Sequence, residues 1–194
     1  MEVFFIKRPN LFTSVKLLTI AAMLTAMSVV IGIFCKSALN FGGGLFRITF
    51  ENLPIILAGV MFGPISGGVV GGVSDIVSYL LSGQAYPPNL IVTLGAVVIG
   101  VIAGGVSRFL IKKRCSMQVI AAGVCAHVVG SMIIKSTGLF VFYGWAVLWR
   151  IPTYTVITFI EILIICLLYK NKTFCRLLHG VDRAFGRTDA EDRA

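Results

Sequence analysis

Apolar residues in this chain run in long blocks separated by short polar or glycine-rich breaks. The blocks are Leu17–Phe34, Asn52–Phe62, Ile65–Leu81, Leu90–Ile111, Val119–Val141 and Ile151–Tyr169. Most approach the roughly 20 residues that an α-helix needs to cross a hydrocarbon core about 30 Å thick. The pattern predicts an all-α integral membrane protein, a six-helix bundle. The first block is too long for the apolar part of a signal peptide, and no small-residue cleavage site follows it. The second block is the exception, with about eleven residues. At 1.5 Å rise per residue it is too short to cross alone unless the preceding charged residues extend it. Gly63-Pro64 then turns the chain directly into the third block.

Within the blocks, glycines recur every four residues at Gly59, Gly63, Gly67 and Gly71, with a further pair at Gly100 and Gly104. That spacing puts small residues on one face of a helix and allows close helix packing. Ala22 and Ala26 on the first block form a similar small pair. Trp and Tyr favour the membrane–water boundary, so the aromatic stretch 142–149 (FYGWAVLW) is placed at a surface.

Composition agrees with the blocks. Hydrophobic residues make up 57% of the 194, charged residues only 13%, and mean hydropathy is +0.95. A soluble domain carries about 25% charged residues. The net charge of +9 would point to nucleic acid in a soluble protein. Here it fits cytoplasmic loops against an anionic leaflet, with no nucleic-acid partner. Most Lys and Arg cluster before the first block, between the fourth and fifth, and after the sixth. The positive-inside rule therefore predicts both termini in the cytoplasm of a multi-pass cell-membrane protein. The membrane domain is expected over residues 1–170, with a polar cytoplasmic tail over 171–194.

Sorting the charges this way leaves a second set. Lys36, Arg47, Glu51, Lys135 and Arg150 fall at outer helix ends, Asp75 about two turns inside, and Glu161 near the middle of the last block. Ionisable groups at membrane depth usually face a partner or a wet cavity. Each has a plainer reading: Lys36 and Lys135 as snorkelling cations, Arg47 and Arg150 as partners of Glu51 and Asp75, Asp75 and Glu161 as structural braces, His127 as a packing residue. Taken together they suit a small-molecule site. Arg47, Arg150 and Lys36 match a carboxylate-bearing solute. Asp75, Glu51 or Glu161 would accept hydrogen bonds from an amino-substituted ring. Phe50, Tyr79, Tyr86, Phe142, Tyr143, Trp145 and Trp149 offer faces for stacking.

The sequence has no P-loop, HExxH or GxSxG motif and no metal-ligand spacing, so neither a metal nor a cofactor is expected. The five cysteines form no CxxC pair and read as small hydrophobes. No inverted repeat is visible, and the chain is small for a self-sufficient transporter. A binding subunit that draws energy from a partner fits best. A small membrane enzyme using Asp75, Glu161 and His127 is a different class of reading, and a purely structural partner protein is a third.

Four runs carry a family resemblance: Arg47-Ile48-Thr49-Phe50, Leu53-Pro54-Ile55, Ala58-Gly59-Val60-Met61-Phe62-Gly63-Pro64 and Gly71-Gly72-Val73-Ser74-Asp75. They resemble the substrate-binding S components of energy-coupling-factor vitamin transporters, most of all the folate-specific branch. The likeness covers about Leu17 to Tyr169. It implies a six-helix bundle that binds a vitamin from outside and works with a transmembrane coupling subunit and two ATPase subunits. Ala22 and Ala26 match the family's docking pattern for the coupling subunit. Folate would place its amino-pteridine on Asp75 or Glu161 and its carboxylates on Arg47 or Arg150. Pantothenate or riboflavin is the alternative within the family.

Overall fold

The computed structural model describes residues 15–38, 40–41, 46–82, 89–107, 116–172, 174, 176 and 181. Tyr86 and the tail 182–194 lie outside the described residues, as does the second basic cluster, Lys112 to Arg114. The helices are α1 (Val15–Ala38), α2 (Asn52–Phe62), α3 (Pro64–Leu81), α4 (Leu90–Gly105), α5 (Ser116–Ala126), α6 (Ser136–Tyr143) and α7 (Arg150–Lys170). A π-helical segment, His127–Lys135, joins α5 to α6 as one rod, and a 3₁₀ turn, Gly144–Trp149, leads into α7. The glycine-containing connection after α1 holds one feature the sequence reading did not anticipate. Two short strands, β1 (Asn40–Phe41) and β2 (Phe46–Arg47), pair antiparallel with Asn40 opposite Arg47.

Among the described residues, four ranges are long and apolar enough to cross a membrane: Val15–Ala38, Pro64–Leu81, Ile120–Phe140 and Val147–Leu168. Asn52–Phe62 and Leu90–Gly105 are shorter. Burial shows how α2 lives with its length: all eleven of its residues are buried. A helix that is apolar on every side belongs inside a bundle. It packs against α1, α3 and α4, and its Ile55, Ile56, Leu57 and Val60 join Ala96, Ile99 and Ala103 of α4 and Ile165 of α7 in the main apolar core. The lipid-facing surface is supplied by the outer rods, on which Val30, Phe34, Ile76, Leu80, Phe159 and Leu163 are exposed.

Local chemistry sets the ends of these elements. Gly63 stands between α2 and α3 with φ +99°, a conformation that side chains rarely adopt. Pro64 then opens α3 at its first turn, where its missing N–H costs nothing. Asn89 caps α4, its side chain accepting from Ile91 N at 3.0 Å while its amide donates to Gly138 O at 2.6 Å. That second bond ties the start of α4 to α6.

The glycine ladder does what its spacing predicts. A Cβ at Gly59 or at Gly67 would sit 2.6 Å from the carbonyl oxygen of Gly100, closer than real contacts allow. The backbones of α2, α3 and α4 therefore touch directly, with no side chain between them.

Candidate functional site

The α2–α3 hairpin carries Glu51 at one end and Asp75 near the other, and the fold brings the two carboxylates to one place. Both line a narrow recess with Ser28 of α1, Ile55 of α2, Ser74 of α3 and Ala96 of α4. The recess holds about 170 Å³ of space outside atoms, none of it wide enough for a water molecule. Its lining is mixed, with Ile55 and Ala96 apolar and Ser28, Glu51, Ser74 and Asp75 polar. Asp75 Oδ2 accepts from Thr93 Oγ1 at 2.7 Å. Ser28 Oγ donates to the backbone oxygen of Glu51 at 2.7 Å and so ties α1 to the start of α2.

Gly32 of α1 marks the next part of the rim. A Cβ there would lie 2.9 Å from both Glu51 Oε2 and Ser78 Oγ, so only glycine leaves these two groups their place. Lys36, one turn further along α1, donates to Ser78 Oγ at 2.7 Å. The half-buried Lys36 thus turns inward beside Glu51 rather than outward to lipid headgroups.

Lys135 departs further from the snorkelling reading. It is 5% exposed, and its stem packs against Gly95, where a Cβ would come within 2.6 Å of Lys135 Cγ. Its ammonium donates to Asn52 Oδ1 at 3.0 Å and reaches Glu51 Oε1 at 3.4 Å. The physical reason is the π-helical segment. Its wide turn keeps His127, Ser131 and Lys135 buried together at intervals of four residues, all toward the bundle interior.

From Lys135 the polar contacts continue inward. Lysine only donates, so the Asn52 atom facing it is the amide oxygen, and the Asn52 nitrogen faces Ser131 Oγ at 3.4 Å. Ser131 Oγ accepts that bond and has its own O–H left for His127 Nδ1 at 3.3 Å. His127 then carries its proton on Nε2, which meets Glu161 Oε2. The chain Glu51, Lys135, Asn52, Ser131, His127, Glu161 thus connects the recess to the middle of α7. Sequence reasoning singled out its ends and missed Asn52 and Ser131. The signal was present in the polar interruptions at His127, Ser131 and Lys135, which share one helix face.

The remaining candidates are distributed differently. Arg47 lies on β2 and Arg150 starts α7, on an end that also contacts the ribbon. Trp145 is 76% exposed and packs edge-on against Phe140, with centroids 5.6 Å apart, so it stands outside the recess. Glu161 does not line the recess either, and reaches it only through the polar chain. Ala22 and Ala26 are both exposed on α1. Among the described residues, no group of three or more His, Cys, Asp or Glu is placed to hold a metal ion.

Comparison with known proteins places these features in a wider setting. A family model described as "ECF transporter, substrate-specific component" matches residues 16–178. The chain is 32% identical to the folate transporter FolT of Clostridium novyi (strain NT) over 85 residues, which is 41% of this chain and 45% of that protein. The chain thus spans a little under half the length of that curated relative. A solved structure, the crystal structure of FolT bound with folic acid, is similar with a TM-score of 0.62 at 26% identity. That likeness covers 82% of this chain and 95% of the solved one.

Proposed function

The chain belongs to the family of ECF transporter substrate-specific components, and from that premise we propose that it captures folate on the outer side of the membrane for import. It is a multi-pass membrane protein and a transport component. The observation that carries the folate reading is the convergence of Glu51 and Asp75 on one recess, with Lys36 and Lys135 beside them. The fold likeness to a folic-acid-bound FolT supports it.

Folate has an amino-pteridine that donates hydrogen bonds and a tail that carries two carboxylates. The Glu51 and Asp75 carboxylates are acceptors for the ring. Lys36, Arg47 and Arg150 are the cations for the tail, and Tyr86 and Trp145 are kept as candidate stacking faces on sequence grounds alone. Lys135 holds Glu51 from behind, and Glu161 stands at the far end of the polar chain. The recess is too narrow for the ligand as it stands, so the helices that line it must separate for the ligand to enter. Binding is then itself a conformational step.

The wider reading has six crossings, both termini in the cytoplasm, and residues 171–194 as a polar tail on that side. A transmembrane coupling subunit and two ATPase subunits supply the energy. Ala22 and Ala26, exposed and small, form the docking face for the coupling subunit.

Thermal shift on the purified protein in detergent tests the ligand. Folate at micromolar concentration is expected to raise the melting temperature, and pantothenate and riboflavin are not. A rise with either of those alone reassigns the vitamin. Ala22→Leu tests the docking face: folate binding should stay intact while uptake fails in cells that supply the coupling and ATPase subunits, because bulk there prevents close approach. Normal uptake removes the docking role.

A further inference from the structure

Glu161 is fully buried in the middle of α7, behind the recess. Its Oε2 is held by His127 Nε2, and its Oε1 has no hydrogen-bond partner among the described residues. Such orphaned oxygens are rare in folded proteins, and an ionised one is costly at membrane depth. The charges that act on it are His127 and Lys135 of the π-helical segment and Glu51 before α2. The other charged residues of α7, Arg150 and Lys170, lie at its two ends, and α4 has no charged residue in its length.

Lys135 does not touch Glu161, because Asn52 and Ser131 stand between them. Lys135 is itself paired with Glu51, so its positive charge is offset there and does not neutralise the pair. A neutral imidazole beside a carboxylate leaves one negative charge in a medium that solvates it poorly. One proton taken from water, held on Glu161 Oε1 or on His127 Nδ1, makes the pair neutral.

We propose that the His127–Glu161 pair is a buried proton-binding site whose occupancy is coupled to ligand binding through Ser131, Asn52, Lys135 and Glu51. The direction of donation along that chain gives the coupling its route. If His127 Nδ1 takes the proton, the Ser131 O–H must turn away from it. That change reaches the amide that holds the Lys135 ammonium against Glu51. If Glu161 takes the proton, the negative charge behind Glu51 is removed. The direction of the linkage rests on the folate reading: the ligand brings carboxylates, and a bound proton offsets part of their charge. Affinity is therefore higher with the proton on.

The test is the folate affinity of the purified protein across the neutral pH range, compared between the parent and Glu161→Gln. Glutamine keeps the shape and still accepts from His127 Nε2. The parent should lose affinity as pH rises, approaching about tenfold per pH unit for one linked proton. The variant should be flat over the same range. Proton uptake on adding folate in weakly buffered solution should approach one per ligand in the parent and vanish in the variant. Equal slopes in the two proteins, or no uptake by the parent, overturn the proposal.

If folate binds at no pH to a folded parent, the folate reading fails instead. The proton site is then read without ligand, from pH-difference infrared spectra of the carboxyl and imidazole bands. A signal present in the parent and lost in Glu161→Gln supports the site, and its absence in the parent overturns it. Should Glu161→Gln fail to fold, the double variant His127→Gln/Glu161→Gln, which has no ionisable group left in the pair, serves in the same measurements with the same expected losses.

Discussion

The two sides of α2 are built on opposite principles. Toward α3 and α4 the contact is backbone on backbone, with Gly59 and Gly67 against Gly100. Toward the π-helical segment and α7 the contact is a chain of buried polar side chains, several of its bonds long at 3.3–3.4 Å. At these glycines the first contact has no rotatable parts and cannot be rearranged without moving a helix. The second is made of rotamers and protons, which can change while the helices stay in place. The recess lies where the two meet, since its lining includes Ala96 of the glycine-packed side and Glu51 of the polar chain. One side thus gives the recess a fixed wall and the other an adjustable one.

The largest expected effect comes from breaking the polar side. His127→Leu leaves the Glu161 carboxylate buried with no partner, and removing one member of such a pair costs about 3–5 kcal/mol. Denaturant or thermal unfolding in detergent should show most of that loss. The double variant with Glu161→Leu should recover much of it, because an apolar pair needs no satisfaction. No recovery would mean that the chain itself, rather than the orphaned charge, carries the stability.

Gly100→Ala tests the rigid side. The added methyl would clash with the backbone of Gly67, which has no side chain to turn aside. Overpacking of this kind costs about 1–3 kcal/mol, and here it should appear as a lowered melting temperature. A neutral result would show that the α3–α4 contact has slack. Thr93→Val is the smallest change and sits at the junction. It removes the part-buried bond to Asp75 Oδ2, a net loss of about 0.5–1.5 kcal/mol. It should lower ligand affinity by up to about tenfold with little change in melting temperature. A large loss of stability would place Thr93 in the rigid wall instead.

How much of this was legible in the sequence follows the same division. The glycine side was readable, because spacing alone places Gly59, Gly63, Gly67 and Gly71 on one face and Gly63-Pro64 marks the turn. The membrane blocks were equally plain from hydropathy. The polar side was not. Nothing in the local pattern announces a π-helical turn over His127–Lys135, since its winding is set by what the buried side chains reach. Lys135 therefore read as a cation near the surface, when its ammonium points inward to Asn52. Glu161 and Glu51 were visible as costly charges, but what connects them is an amide and a hydroxyl, two groups that are unremarkable in a sequence. The exposed position of Trp145 was likewise invisible, because aromatic composition says that a loop sits near an interface and not which way a ring faces.

The complete burial of α2 also bears on how the protein is made. An eleven-residue helix is about 17 Å long, little more than half the hydrocarbon thickness. With no surface left for lipid, it has no stable resting place in the bilayer before its neighbours arrive. It is joined to α3 through Gly63 alone, so the two helices form one hairpin. The recess draws its lining from α1 and α4 as well as from that hairpin, so it exists only once both have closed on the pair.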